Sequence, residues 1–272
     1  MKNPKILKAK NQATGNTALI IGAHVEEIEA ELALLPQVLV KAGWRVVILN
    51  PVGGWNWVRL RKLKDKELKE FKQSCYRAAE ILGAEKIILD YDIGSFPECT
   101  NDMMKDMARI IYDIRPKLVF IPWIRDTHQD HRHLAAISYR LFNGSHFVTQ
   151  TDEIVPPENY QYEVWAYPAG ISQTYDFWPD AVVAGDPEML EVVKKANEEF
   201  AHLDAQKRAG FTNNVKRKTS FWSVYGNNQP SEAVKFIGPA FPLGGTLLKE
   251  VLKERVFPVS AGPILCAKEY ME

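Results

Sequence analysis

Thr17-Ala18-Leu19-Ile20-Ile21-Gly22-Ala23-His24-Val25-Glu26-Glu27-Ile28-Glu29 is the stretch that decides the fold of this chain. Six mostly apolar residues, Ala18 to Ala23, read as a buried strand, because the run is too short for a buried helix. His24, Glu26 and Glu27 stand at its carboxyl end. Apolar residues at helical spacing follow at once: Ile28, Leu32, Leu35, Val38 and Leu39. A strand that runs into a helix is the repeating unit of parallel sheets, and open α/β sheets place their ligands at the carboxyl edge. An imidazole and two carboxylates at that edge are the makings of a metal site. Glu29 has a simpler reading, as a first-turn acid that complements a helix N-terminus.

The pattern continues outward from there. Pro36 predicts a kink or break within the helical spacing of residues 27 to 42, and Gly43 closes it. R-V-V-I-L-N (45–50) reads as a second strand, and P-V-G-G-W-N-W after it as a loop. A charged helix over about 59–82 leads to a third strand at 86–92, and a helix over 101–114 to a fourth at 117–123. A helix at 131–142, short strands at V-W-A-Y (from 164) and A-V-V-A (from 181), and a helix at 187–208 complete the regular part. This alternation predicts an α/β fold, a Rossmann-like three-layer arrangement with a mostly parallel sheet and helices on both faces. Beyond Gly210 the sequence is rich in Asn, Lys and aromatic residues and is interrupted by Pro230, Pro239 and Pro242. That part predicts irregular structure or hairpins packed on the main sheet, with K-R-K at 216–218 as a solvated turn. The expectation is one domain over 1–272, with its core at about 17–208 and an irregular portion over 210–272.

Composition excludes several partners. Lys plus Arg equals Asp plus Glu at 34 each, so no net field draws the chain to nucleic acid or to an anionic membrane. The basic start, K-N-P-K-I-L-K-A-K, leads into no apolar segment of signal-peptide length, and no run approaches the roughly eighteen apolar residues of a membrane span. Three scattered cysteines, Cys75, Cys99 and Cys266, argue against a disulfide framework and suit a reducing cytoplasm. No G-x-G-x-x-G follows the first strand and no G-K-[ST] occurs, so nucleotide binding is disfavoured. The expected setting is cytoplasmic and the expected partner a small molecule, with self-association left open.

A second charged cluster lies past the fourth strand, in W-I-R-D-T-H-Q-D-H-R-H (123–133). His128 and His131 are three apart and share a face if a helix has begun by Thr127. Zinc takes imidazole and carboxylate ligands, and catalytic sites commonly supply three of them with a position open for water. His24, Glu27 and one of these histidines meet that count. Thr127 with Asp130 also resembles a helix cap, which would account for Asp130 without chemistry. His133 is offset from His131 and points elsewhere. Trp55 and Trp57 follow the second strand and are candidates to stack on a sugar ring; equally, they could be buried indoles that pin a loop.

On these residues the chain resembles the PIG-L/LmbE-like zinc-dependent de-N-acetylases, whose motifs read A-H-P-D-D-E and D-x-H-x-D-H. The second motif is intact as Asp126-Thr127-His128-Gln129-Asp130-His131, while the first is altered to Ala23-His24-Val25-Glu26-Glu27-Ile28. A-A-E-I-L-G (78–83), Y-D (91–92) and R-P-K-L-V-F-I-P (115–122) fall between them in the family's order, so the likeness spans about residues 17 to 142. The resemblance implies one zinc per chain, or another divalent ion such as Fe2+, held by His24, Glu27 and His131. It implies removal of an N-acetyl group from an amino sugar or sugar conjugate, with Glu26 as general base. His128, in protonated form, would meet the developing oxyanion or protonate the leaving amine, and Asp126 or Asp130 could hold its ring in place. Asp92 matches an acid near the sugar in some members. Both acids of the first motif are glutamates here, so each carboxylate reaches further by one C–C bond, roughly 1.5 Å. Leu32, Leu34 and Leu35 stand where the family has a glycine-rich helix entry and are expected to alter the pocket floor. The competing readings are a zinc amidohydrolase on a non-sugar acyl amide and a metal-poor, non-catalytic binding descendant of the fold.

Overall fold

The computed structural model describes residues 16–56, 62–142, 161–170, 173–200, 205–238 and 246–259. Strand β1 (Thr17–Ile21) sits inside the sheet, and all five of its residues are buried. Side chains along a strand alternate between faces. Ala18 and Ile20 accordingly enter one hydrophobic core, and Leu19 and Ile21 the other. Neither face of β1 meets water, which is why its sequence carries no polar alternation.

β1 pairs in parallel with β2 (Arg45–Val52) on one side and with β4 (Leu118–Pro122) on the other, with Ala18 opposite both Val46 and Leu118. β3 (Glu85–Tyr91) extends the sheet beyond β2, and β5 (Glu163–Tyr167) extends it beyond β4, both parallel. Three antiparallel strands complete it: β6 (Ala181–Ala184), β7 (Ser231–Gly238) and β8 (Val256–Pro258), giving the order β3-β2-β1-β4-β5-β7-β6-β8. The chain therefore winds outward from β1 to β3 and then returns to the other side of β1. That reversal opens a crevice at the carboxyl ends of β1 and β4, where open α/β sheets bind ligands.

Helices cover both faces. Along the chain they are α1 (Glu27–Glu31), α2 (Leu34–Lys41), α3 (Asp65–Ile81), α4 (Phe96–Ile114), α5 (Gln129–Phe142), α6 (Met189–Glu198), α7 (Ala205–Trp222) and α8 (Leu247–Leu252). Leu35, Phe71, Val193, Val215 and Leu248 bring α2, α3, α6, α7 and α8 into the core on one face. Met107 and Leu134 bring α4 and α5 into the core on the other. The expected three-layer α/β arrangement is what is found.

Several local expectations are corrected. The helical spacing of residues 27 to 42 divides into α1 and α2, and the break falls at Leu32 and Ala33, ahead of Pro36. Pro36 is the third residue of α2, where a backbone N–H would have had no partner within the helix. Residues 187–208 likewise form α6 and the start of α7 rather than one helix. Past Gly210 the irregular reading fails, because α7 runs to Trp222 and β7 is a regular strand. Phe211, Val215 and Thr219 recur every fourth residue along α7, a thin stripe that its many Asn and Lys residues hide. Lys218 is no solvated turn residue. It is buried on α7, donating to the Glu31 carbonyl, to Glu31 Oε2 and to the Pro168 carbonyl at 2.8–2.9 Å. Glu29 is more than a first-turn acid, being fully buried and paired with the equally buried Lys86 at 2.6 Å. Leu32, Leu34 and Leu35 are all buried in the core, and none of them lines the cavity described below.

Candidate metal and catalytic site

Between β1 and α1 the chain makes a tight turn that carries His24, Val25 and Glu26. Asn50, a lone amide in the apolar run of β2, fixes this turn by donating to the carbonyls of Gly22 and His24 at 3.0 and 2.6 Å. Gly22 allows the close approach: a Cβ there would stand 3.0–3.2 Å from Ile28, Glu27 and Asn50. Glu27 then folds back over the turn. Its Oε2 accepts from the backbone N–H groups of Ala23 and His24, which leaves Oε1 turned toward two imidazoles. His24 Nδ1 is 3.5 Å from that oxygen, and His131 Nε2 is in direct contact with it.

His131 comes from the first turn of α5, just past β4, so the two strand ends do meet. The far nitrogen of each imidazole rests on a buried carboxylate. His24 Nε2 lies 3.2 Å from Asp130 Oδ2, and His131 Nδ1 lies 3.2 Å from Asp126 Oδ2. The carboxylates are held in turn. Gly94, at φ 80, turns its N–H onto Asp130 Oδ2 at 3.1 Å, and the Thr174 hydroxyl donates to Asp126 Oδ2 at 3.1 Å. A carboxylate behind each imidazole is the usual outer shell of a metal-binding histidine, fixing its tautomer and aim.

His128 is held differently from the expectation. Neither Asp126 nor Asp130 reaches its ring; the Asp130 backbone N–H donates to His128 Nδ1 at 3.2 Å. That contact makes Nδ1 an acceptor and places the ring proton on Nε2. The ring stacks on His131 with centroids 4.6 Å apart. Burial, then repulsion from His24 and His131, pushes its pKa down, which favours the neutral ring over the expected imidazolium.

The charges point the same way. Burial opposes charge on His24 and His131, yet Asp130 and Glu27 lift His24 to about 9, and Glu27 and Asp126 lift His131 to about 10. Glu27 is also buried and is nevertheless held well below the usual carboxylate range by the same two imidazoles. Carboxylates outweigh fixed cations in this cluster, and a group of this kind is completed by a cation. Ligand atoms of His24, Glu27 and His131 lie within 4.8 Å of one another, and Glu27 Oε1 is buried without a hydrogen bond. A 3.5 Å separation suits two ligands each about 2 Å from one ion. His24, His128 and Asp130 also cluster, but using them would cost His24 its carboxylate support. The first set is the better fit for a divalent ion.

Residues 19–142 match the model of the PIG-L family, described as GlcNAc-PI de-N-acetylase. Over that segment the chain is PIG-L-like. No curated protein matches the sequence. Among solved structures the fold is shared with the conserved protein TT1542 from Thermus thermophilus (17% identity, TM-score 0.65, 84% of this chain and 98% of that one). It is shared with the 4-carboxy-2-hydroxymuconate hydratase GalB from Pseudomonas putida (17%, 0.63, 85% and 100%). It is shared too with N,N'-diacetylchitobiose deacetylase from Pyrococcus horikoshii (18%, 0.64, 82% and 84%).

The PIG-L-like segment supplies His24, Glu26, Glu27, His128 and His131, and these line one cavity of about 340 Å³. Asp130 supports the cavity from behind His24 without lining it. The remaining wall comes partly from outside that segment: Ala169 and Gln173 after β5, and Lys207 and Phe211 on α7. Lys207 Nζ is 3.9 Å from Glu26 Oε1. Asp92 is exposed, and neither it nor Trp55 is in the wall. Trp55 donates from Nε1 to Asp90 at 2.7 Å, meets Phe71 edge-on at 6.2 Å and lies under Lys72 Nζ. It is thus the pinned indole of the plainer reading. Trp57 lies outside the described residues. Sequence reasoning missed Asn50, which was visible as one amide among apolar neighbours. It also missed Gln173, Thr174, Lys207 and Phe211, which no local pattern marks.

Proposed function

We propose that this chain is a metal-dependent N-deacetylase that hydrolyses the acetamido group of an amino sugar or sugar conjugate, with one zinc ion held by His24, Glu27 and His131. The observation that carries the reading is the pair of imidazoles, each facing Glu27 Oε1 with one nitrogen and resting on a buried carboxylate with the other. A bound divalent ion would polarise the acyl carbonyl and acidify water beside it. Glu26, next to a ligand residue and facing the cavity, takes the proton of the attacking water, a role typically worth about 10²–10⁴-fold. His128 presents Nε2–H to the oxygen on which charge develops, and the Asp130 backbone keeps that ring in one tautomer. The amine then leaves with the proton that Glu26 collected.

The family match and the diacetylchitobiose deacetylase among the structural relatives support this reading. The hydratase among them marks another use of the fold, so the reaction itself must be assayed. Few cysteines and a balanced charge suit a cytoplasmic enzyme, and no helix among the described residues is long and apolar enough to cross a membrane. The deciding assay follows acetate release from N-acetylglucosamine-type substrates by the zinc-loaded protein and its Glu26→Gln variant. Turnover that falls at least about 10²-fold in the variant while zinc stays bound is the expected result. Loss of zinc from the variant would make Glu26 a ligand. Turnover only on non-sugar acyl amides would move the substrate class, and water addition to an unsaturated acid without acetate release would replace the reaction.

A further inference from the structure

Glu31 lines the same cavity one helical turn beyond Glu27, and the mechanism above leaves it unused. Its side chain is mostly buried, a costly position for a carboxylate unless both oxygens find partners. Only one does. Oε2 accepts from Lys218 at 2.9 Å, and Lys218 is itself anchored on the Glu31 and Pro168 carbonyls. Among the described residues Oε1 has no partner. Glu232 shows one way to satisfy a buried carboxylate, since its two oxygens accept from the backbone N–H groups of Leu34 and Leu35. Glu31 instead lines the cavity with one oxygen clamped by Lys218 and the other without a protein partner among the described residues.

The surrounding wall narrows what that acceptor meets. Phe211 from α7, partly exposed, also lines the cavity, with the buried Phe71 of α3 behind the wall, so the lining is aromatic in one part and acidic in another. A ligand that offers a flat apolar face together with hydrogen-bond donors at its rim fits such a wall. We propose that Glu31 is a substrate-binding residue whose free oxygen accepts a hydroxyl of the amine-bearing, sugar-like half of the substrate, while Phe211 receives that half's apolar face. The subsite deepens the deacetylase reading and rests on it for the identity of the ligand. It relocates the aromatic platform from Trp55 to Phe211 on α7.

Two probes test it: kinetics on N-acetylglucosamine, and calorimetric binding of glucosamine to the wild type and to Glu31→Gln. A hydrogen bond to a charged acceptor is lost in this variant, so both KM and Kd should rise about ten- to a hundredfold, with kcat within about twofold. The amide oxygen of Gln still accepts from Lys218, and Glu31→Asp, which keeps the charge, should recover part of the affinity if the fold is intact. An unchanged Kd in Glu31→Gln, or a fall in kcat at constant KM, would overturn the subsite. Turnover of hydroxyl-free acyl amides alone, indifferent to Glu31→Gln, would overturn it while leaving an amidohydrolase. Glucosamine binding that depends on Glu31, in a protein that releases no acetate, would keep the subsite and remove the deacetylase.

Discussion

Asp130 stands two residues from His128, yet its carboxylate turns away to His24, while Asp126 serves His131. The cluster was legible in residue types: imidazoles and carboxylates gathered at two strand ends marked the candidate ligands that the fold brings together. Which acid serves which ring was not legible, because it depends on how the β1 turn and α5 face each other and not on spacing within either. The pairing has a measurable consequence. Asp130→Asn removes the carboxylate behind His24 while keeping its shape, and should weaken zinc binding about 10–100-fold in a competition titration against a chelator. Equal affinity in the two proteins would mean that Asp130 only closes the first turn of α5. The longer acids of the first motif are explained on the same footing. Glu27 uses its extra reach to fold back onto the Ala23 and His24 N–H groups, and Glu26 comes within 3.9 Å of Lys207.

Helix ends show where sequence patterns stop. The N-terminus of α2 is capped by Glu232 of β7, 198 residues away from Leu34, and that of α8 by Glu163 of β5. Cap signatures read from sequence are local, so the Glu232 cap leaves no trace in the residues before α2, whereas α8 also has a local cap in Thr246, whose hydroxyl accepts from the Lys249 N–H. α7 is hard to read for a related reason, since its buried face holds Thr212, Val215, Lys218 and Thr219, mostly polar residues, and Lys218 is satisfied only by distant partners. Burial lifts the Glu232 carboxyl to about 7, even though the two N–H groups favour the anion. Its folded value lies above the ordinary 4.5, so the folded protein holds this proton where the unfolded chain has lost it. Its contribution to stability is therefore full below about 4.5 and is lost as pH rises through about 7, by roughly 3 kcal/mol. Denaturant unfolding at several pH values should show this fall in the wild type and not in Glu232→Gln. Parallel pH curves for the two would contradict it.

At the scale of the whole molecule, strand alternation predicted the three-layer sheet, and the reversal of strand order at β1 and β4 brings the two motifs side by side. In the antiparallel half, A-V-V-A marked β6 and the helical pattern after it marked α6, while β7 and β8 were missed, because their place in the sheet is set by pairing with distant strands and not by local sequence. That half matters for specificity: α7 and the segment after β5 bring Lys207, Phe211, Ala169 and Gln173 to a cavity whose reacting groups all come from residues 24–131. The proposed reacting groups and part of the cavity wall thus arise from different stretches of chain. The central claim is that His24, Glu27 and His131 grip a single ion. It is tested most directly by elemental analysis and zinc titration of protein purified without chelator, beside His131→Ala with its circular dichroism checked. The account predicts one ion per chain in the wild type and loss of that ion in the variant at unchanged secondary structure. A wild type that neither retains nor takes up a divalent ion, or a variant that binds it equally well, would contradict it.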